Sequence, residues 1–141
     1  MSLLGIDHGS VRVGLAVSDE SDTFALPLET VPLASAITRI REIAAEKNVR
    51  VLILGMPRNM DGSYGPKSEE VRRFAERLKK ETQLEVRFWD ERLTTRAAER
   101  VLREREVSHK RRKELVDQLA AHQILQNYLD AQAFRKTETT D

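Results

Sequence analysis

Residues 3–7 (LLGID) and 12–18 (RVGLAVS) are short apolar runs on either side of a Gly-Ser pair, a pattern that predicts two strands joined by a tight turn. An extended stretch over about 23–31 contains Pro27 and is followed by Pro32. Proline cannot donate to a ladder, so this strand suits a sheet edge better than a centre. From Leu33 the period changes: Ala36, Ile37, Ile40, Ile43 and Ala44 recur at helical spacing and predict a helix to about Lys47. VRVLILG (49–55) is almost continuously apolar, as in a parallel strand covered on both faces. The polar, glycine-bearing loop 56–65 leads to Pro66, which fits the first turn of a helix with the stripe Val71, Phe74, Ala75 and Leu78. LEVRFW (84–89) alternates and predicts a fifth strand. Thr94 or Thr95 can cap a helix carrying Ala97, Ala98, Val101 and Leu102. Residues 104–112 are charged and aperiodic, as in a mobile loop, and a last helix is expected from about Lys113 to Phe134. The order βββαβαβαα predicts an α/β fold: a mixed five-stranded sheet, antiparallel at one edge, with helices on both faces.

Size and composition narrow the classes. A chain of 141 residues suits one domain, here 1–134, with a polar tail at 135–141. The absence of cysteine excludes disulfides and thiolate chemistry and leaves the redox compartment open. No apolar run approaches the roughly 20 residues of a membrane span, so no membrane partner is expected. The first residues lack the basic and apolar regions of a secretory signal, which makes the cytoplasm the expected location. Net charge is only +1, but nine basic residues face three acids between Arg92 and Lys113. Such a run is either a solvated face laced with Arg–Glu pairs or a track for phosphates, and composition leaves both open.

Three carboxylates fall where charge is costly. Asp7 ends the first strand. Asp90 and Glu91 lie just beyond the fifth, at the edge where open α/β sheets bind ligands. Asp117 shares a helical stripe with Ala121, Ile124 and Tyr128, although a carboxylate facing a core needs a partner. A cap, a turn or a buried ion pair would explain any one of them. Three on separate elements can converge, because strand neighbours are about 4.8 Å apart. Oxygen ligands without His or Cys suit Mg²⁺ or Mn²⁺. His8, His109 and His122 are dispersed; His122 reads as a helix-face residue, and His8 is the one placed to support Asp7.

Four segments in order, GIDHGSVRVGLAVSD (5–19), GMPRNMDGSYGP (55–66), DERLTT (90–95) and VDQLAAHQILQNYLD (116–130), carry a resemblance. Over about residues 3–130 the chain resembles the YqgF family, described as pre-16S rRNA nucleases or Holliday-junction resolvases of ribonuclease H-like fold. It departs at Val11, where the family often has Lys, leaving Arg12 to meet phosphate.

The resemblance implies the sheet order 3-2-1-4-5, with strand 2 antiparallel to its neighbours. It also implies catalytic metal ligands at Asp7, Glu91 and Asp117, with Asp90 the lesser candidate beside Glu91. Two metal ions about 4 Å apart would neutralise charge at phosphorus, activate water and stabilise the leaving oxygen. Arg58, Asn59 and the backbone of Gly62 and Gly65 would meet the phosphate chain. Arg12, Arg92 and Arg96 would flank the same edge, and Lys110, Arg111 and Arg112 would extend the track. The implied partner is nucleic acid, a structured RNA precursor or branched DNA, cut by a monomer or homodimer. Two rivals stand beside this reading. The first segment also looks like the phosphate loop of the actin and sugar-kinase fold, whose second lobe a chain of this length cannot supply. A non-catalytic nucleic-acid-binding or assembly module would keep the basic track but has no need of three acids.

Overall fold

The structure, a computed structural model, describes residues 2–58, 61–90 and 119–133. Its elements are β1 (Ser2–His8), β2 (Arg12–Ser18), β3 (Ala25–Pro32), a 3-10 turn (Leu33–Ser35), α1 (Ala36–Glu46), β4 (Val49–Met56), α2 (Pro66–Thr82) and β5 (Glu85–Asp90). A further helix, α3, covers residues 119–133. The five strands form one sheet in the order β3-β2-β1-β4-β5. β2 is antiparallel to β1 and β3, whereas β4 is parallel to β1 and β5. This is the expected topology, and it makes β1 the central strand.

Proline acts at the edge as its chemistry requires. Leu15 pairs with Glu29 and Ala16 with Pro27, so the ladder slips by one residue at Leu28. The bulge accommodates the missing N–H of Pro27 and interrupts the outer edge of the sheet. The first helix begins later than its apolar period suggests. Leu33 N–H donates to the Val11 carbonyl at 2.9 Å, and Leu33–Ser35 close into a 3-10 turn before α1 starts at Ala36. A long-range hydrogen bond to the β1–β2 turn thus takes precedence over local periodicity.

Strand alternation divides the core in two. On one face Leu4, Ile6, Val13, Leu15, Leu52, Leu54 and Val86 pack with Ile40 and Ile43 of α1 and Val71, Phe74, Ala75 and Leu78 of α2. On the other, Leu3, Ala16, Val51 and Ile53 pack with Ala121, Ile124, Leu125, Tyr128 and Leu129 of α3. Ile53 and Leu54, adjacent in β4, are both 0% exposed. The continuous apolar run therefore reflects burial on both faces, as its pattern predicted. The stripes expected for α2 and for the described part of the last helix are the faces that pack. The expected helix around 97–102, the loop 104–112, the start of the last helix and the tail 135–141 lie outside the described residues.

Candidate active site

Asp7 occupies the central strand on the α3 face. Leu3 packs in the α3 core while Leu4 and Ile6 pack in the other, so alternation directs Gly5 and Asp7 toward α3. Gly5 is in contact with the helix: a Cβ placed there would lie 2.7 Å from Leu125 Cβ and 3.0 Å from the Ala121 carbonyl oxygen. Leu3, one step back, lines a cavity with Tyr128 and Leu129. The helix therefore runs antiparallel to β1, and Asp7 lies toward its residue-119 end. Asp117, two positions earlier in the chain, is outside the described residues.

Both sheet neighbours of Asp7 lack side chains. Asp7 pairs with Gly14 of β2. In β4, Ile6 pairs with Leu54, which makes Gly55 the next residue in the row. Gly55 in turn pairs with Trp89 of β5. The half-buried carboxylate is therefore flanked within the sheet by two glycines. A carboxylate oxygen with glycine on the adjoining strands fits a hard divalent cation. Arg12 shares this face, because Ala16 packs on α3 while Val13, Leu15 and Val17 pack on the other side. It lies two residues along β2 from Gly14.

The same alternation separates Asp90 from Asp7. Val86 packs with α1 and α2, so Asp90, four residues on, belongs to that face, and its carboxylate lies 3.5 Å from Arg58 Nη1. Arg87 and Trp89 face α3: Arg87 donates to the Tyr128 hydroxyl, and the Trp89 and Tyr128 rings meet edge-on at 5.8 Å. Glu91 lies outside the described residues. Among these residues no group of three or more His, Cys, Asp or Glu stands together.

One expectation is corrected. His8 does not support Asp7. It projects from the opposite face of β1, its ring 4.8 Å from Phe74 of α2, and burial holds its pKa below the ordinary value. Arg58 shapes its own loop. Its Nε and Nη2 donate to the Gly62 carbonyl at 2.8 and 2.5 Å, and its guanidinium lies 4.8 Å from the centre of the Tyr64 ring. Gly62, at φ 90°, supplies the left-handed backbone of that turn. Gly65 precedes α2 and accepts the Ser68 N–H at 3.0 Å, while Ser68 Oγ donates to the Pro57 carbonyl at 2.6 Å. The loop is thus fastened to the end of β4. Asn59, Arg92, Arg96, Lys110, Arg111 and Arg112 lie outside the described residues. The roles of Gly14 and Gly55 went unread in the sequence, where their signal was a glycine inside each of two apolar strands.

Residues 1–131 match the model of a family described as RuvX, Holliday junction resolvase, the family to which YqgF belongs. The chain belongs to that family. Among curated RuvX relatives, a Symbiobacterium thermophilum protein named "Putative pre-16S rRNA nuclease" is 46% identical over 142 residues, covering 99% of both chains. A Bacillus cytotoxicus protein of the same name is 45% identical over 136 residues, covering 93% of this chain and 99% of that one. Two solved structures share the fold. RuvC from T. thermophilus, in complex with a Holliday junction substrate, has 18% identity and a TM-score of 0.58, covering 94% of this chain and 96% of that one. The fowlpox virus Holliday junction resolvase has 13% identity and a TM-score of 0.53, covering 93% of this chain and 99% of that one. The fold is ribonuclease H-like.

Proposed function

We propose that this protein is a metal-dependent nuclease that hydrolyses phosphodiester bonds of structured nucleic acid, at the 5′ end of precursor 16S rRNA before any other substrate. One observation carries the reading: Asp7, a carboxylate on the central strand, stands between Gly14 and Gly55 on the face that also bears Arg12. A structural cap has no use for glycine on both sides, whereas glycine keeps the adjoining strands from placing side chains where a cation and a phosphate would sit. Support for the substrate comes from the relatives named for pre-16S rRNA, which match almost the whole chain. The resolvase description of the family makes a four-way DNA junction the second candidate.

Asp7 would hold Mg²⁺ or Mn²⁺, with Glu91 and Asp117 completing the ligand set. When bound, such ions supply charge neutralisation at phosphorus and an activated water. The chain's own contribution is positional. Asp7 is held by pairing with Gly14 of β2, one residue beyond the last β1–β4 pair at Ile6, so its carboxylate is carried by rigid backbone. Arg12 offers a guanidinium to the phosphate oxygens beside it. Asp90 pairs with Arg58 on the face away from Asp7, and Glu91 is the next acid in the chain. This favours Glu91 over Asp90. The proposed place of action is the cytoplasm; among the described residues no helix is long and apolar enough to cross a membrane.

The test is cleavage of a panel comprising precursor 16S rRNA, a four-way DNA junction and simple duplexes, with Mg²⁺, Mn²⁺ or EDTA. Metal-dependent cuts in the rRNA precursor, absent in Asp7→Asn, are expected. Junction-only cleavage would move the substrate to DNA. Tight binding without cleavage under any metal would make the protein a non-catalytic module and overturn the proposal.

A further inference from the structure

Across β1 from Asp7 there is a second feature with a chemistry of its own. An open cavity of about 420 Å³ is lined by His8, Ser10, Leu33, Ala34, Glu70, Phe74, Arg73 and Arg77. It lies at the same end of the sheet as Asp7, because His8 is the next residue on the strand and Ser10 belongs to the turn that follows. It opens on the α1–α2 face.

Arg73 and Arg77 are one helical turn apart on α2 and both are exposed. Among the described residues every other arginine engages a partner: Arg39 binds Glu29, Arg41 Glu81, Arg50 Asp22, Arg58 Asp90, Arg72 Glu69 and Arg87 Glu85, and Arg12 also makes an interaction. Arg73 and Arg77 alone have none among these residues. His8 supplies an independent observation. It is 6% exposed, lines the same cavity, and its buried Nδ1 has no hydrogen-bond partner among the described residues. Buried polar atoms in native proteins are ordinarily satisfied, so one left open beside two unpaired guanidiniums points to a ligand that accepts or donates hydrogen bonds there. Leu33, Ala34 and Phe74 make the remaining wall apolar, and among the described residues Glu70 is the one acid of the lining.

We propose that this cavity is a phosphate-binding subsite that takes a backbone phosphate of the substrate strand beyond the bond cut at Asp7, with the attached sugar against the apolar wall. The identity of that strand rests on the nuclease reading; the phosphate chemistry does not. Two guanidiniums presented from one helix face match a phosphate's oxygens, and the volume is of the size that holds a small ligand group. The exposed turn at Ser10 and Val11 lies between Asp7 and the cavity, the route such a strand would take around the end of the sheet.

The experiment compares wild type, Arg73→Gln/Arg77→Gln and Lys79→Gln/Lys80→Gln, which removes the same charge from exposed positions of the same helix outside the cavity lining. Binding of a labelled hairpin RNA is measured in EDTA across a salt series. Each lost phosphate contact lowers the log–log slope by about 0.7–0.9, so the arginine pair should lower it by about 1.4–1.8 and the lysine pair far less. Amide shifts at Ser10, Arg73 and Arg77 during titration with AMP identify the other source: saturating shifts with an unchanged RNA slope would support the phosphate site and make its occupant a free nucleotide. Equal slope losses in both double variants would reduce the effect to net charge and overturn the proposal. Unchanged slopes without AMP shifts would overturn it as well. Because binding is read without metal, a protein that cuts nothing would defeat the nuclease reading alone.

Discussion

Gly5→Ala tests the contact that sets α3 against the central strand. Gly5 has no left-handed backbone requirement, since Gly62 is the glycine of positive φ among the described residues. Alanine is therefore conformationally acceptable, and only space decides the outcome. The new Cβ would stand 2.7 Å from Leu125 Cβ and 3.0 Å from the Ala121 carbonyl. Ordinary carbon contacts need about 3.5–4.0 Å, so helix and strand must separate by about 1 Å. Both opposing atoms sit at or next to the backbone and cannot swing aside. The cost falls toward the top of the overpacking range, about 3 kcal/mol. Loss of glycine freedom in the unfolded chain returns about 0.4–1 kcal/mol, leaving a net destabilisation of about 2 kcal/mol. For a chain of 141 residues that corresponds to a drop in Tm of about 8 °C. If Asp117, two residues before α3, is a metal ligand as proposed, activity should fall more steeply, because a displacement of about 1 Å at such a group costs on the order of 10²-fold. Thermal melts and metal-dependent cleavage on the same preparation provide both readings. An unchanged Tm with full cleavage would refute both the seating of α3 on Gly5 and the dependence of the site on that seating.

Asp7→Asn keeps shape and hydrogen-bonding capacity while removing the anion; cleavage and Mn²⁺ binding should be lost, while Tm in EDTA holds or rises, because carboxylates clustered without metal repel one another. Melting of this variant at ordinary temperature would instead make Asp7 structural. Asp90→Asn removes a partly exposed pair with Arg58, on the face away from Asp7, and should cost less than about 1 kcal/mol in urea melts with cleavage retained; loss of metal binding there would reverse the assignment between Asp90 and Glu91. His8→Phe removes a buried nitrogen without a partner among the described residues and should raise Tm in EDTA. Because burial lowers the His8 pKa below 6.5, its neutral form is kept in the folded state, and the stability this supports is present above about pH 6.5 and lost as pH falls through the folded value. The Tm advantage of His8→Phe should therefore widen toward acid, and a gap independent of pH would contradict this account.

Local pattern determined much of this molecule. The apolar runs, the proline-bearing edge strand, the doubly buried β4 and the stripes of α1 and α2 follow from period and steric rules acting within a few residues, which is why they are legible one segment at a time. The resemblance added the strand order and the three acids. Tertiary structure decided which of these residues share a face. Alternation separates Asp7 from His8 on any strand, but whether Asp90 sides with one or the other depends on the registers joining β1 to β4 and β4 to β5, which no single segment encodes. The same holds for Gly14 and Gly55: each is an unremarkable glycine in its own strand, and they come to flank a carboxylate only once pairing aligns them. Arg58 and Arg73 are likewise indistinguishable as charges in a sequence. One is hydrogen-bonded to a carbonyl that a left-handed glycine turns toward it, and the other, at the rim of a cavity, has no partner among the described residues, because side-chain partnership is set by what the folded chain brings within hydrogen-bond reach.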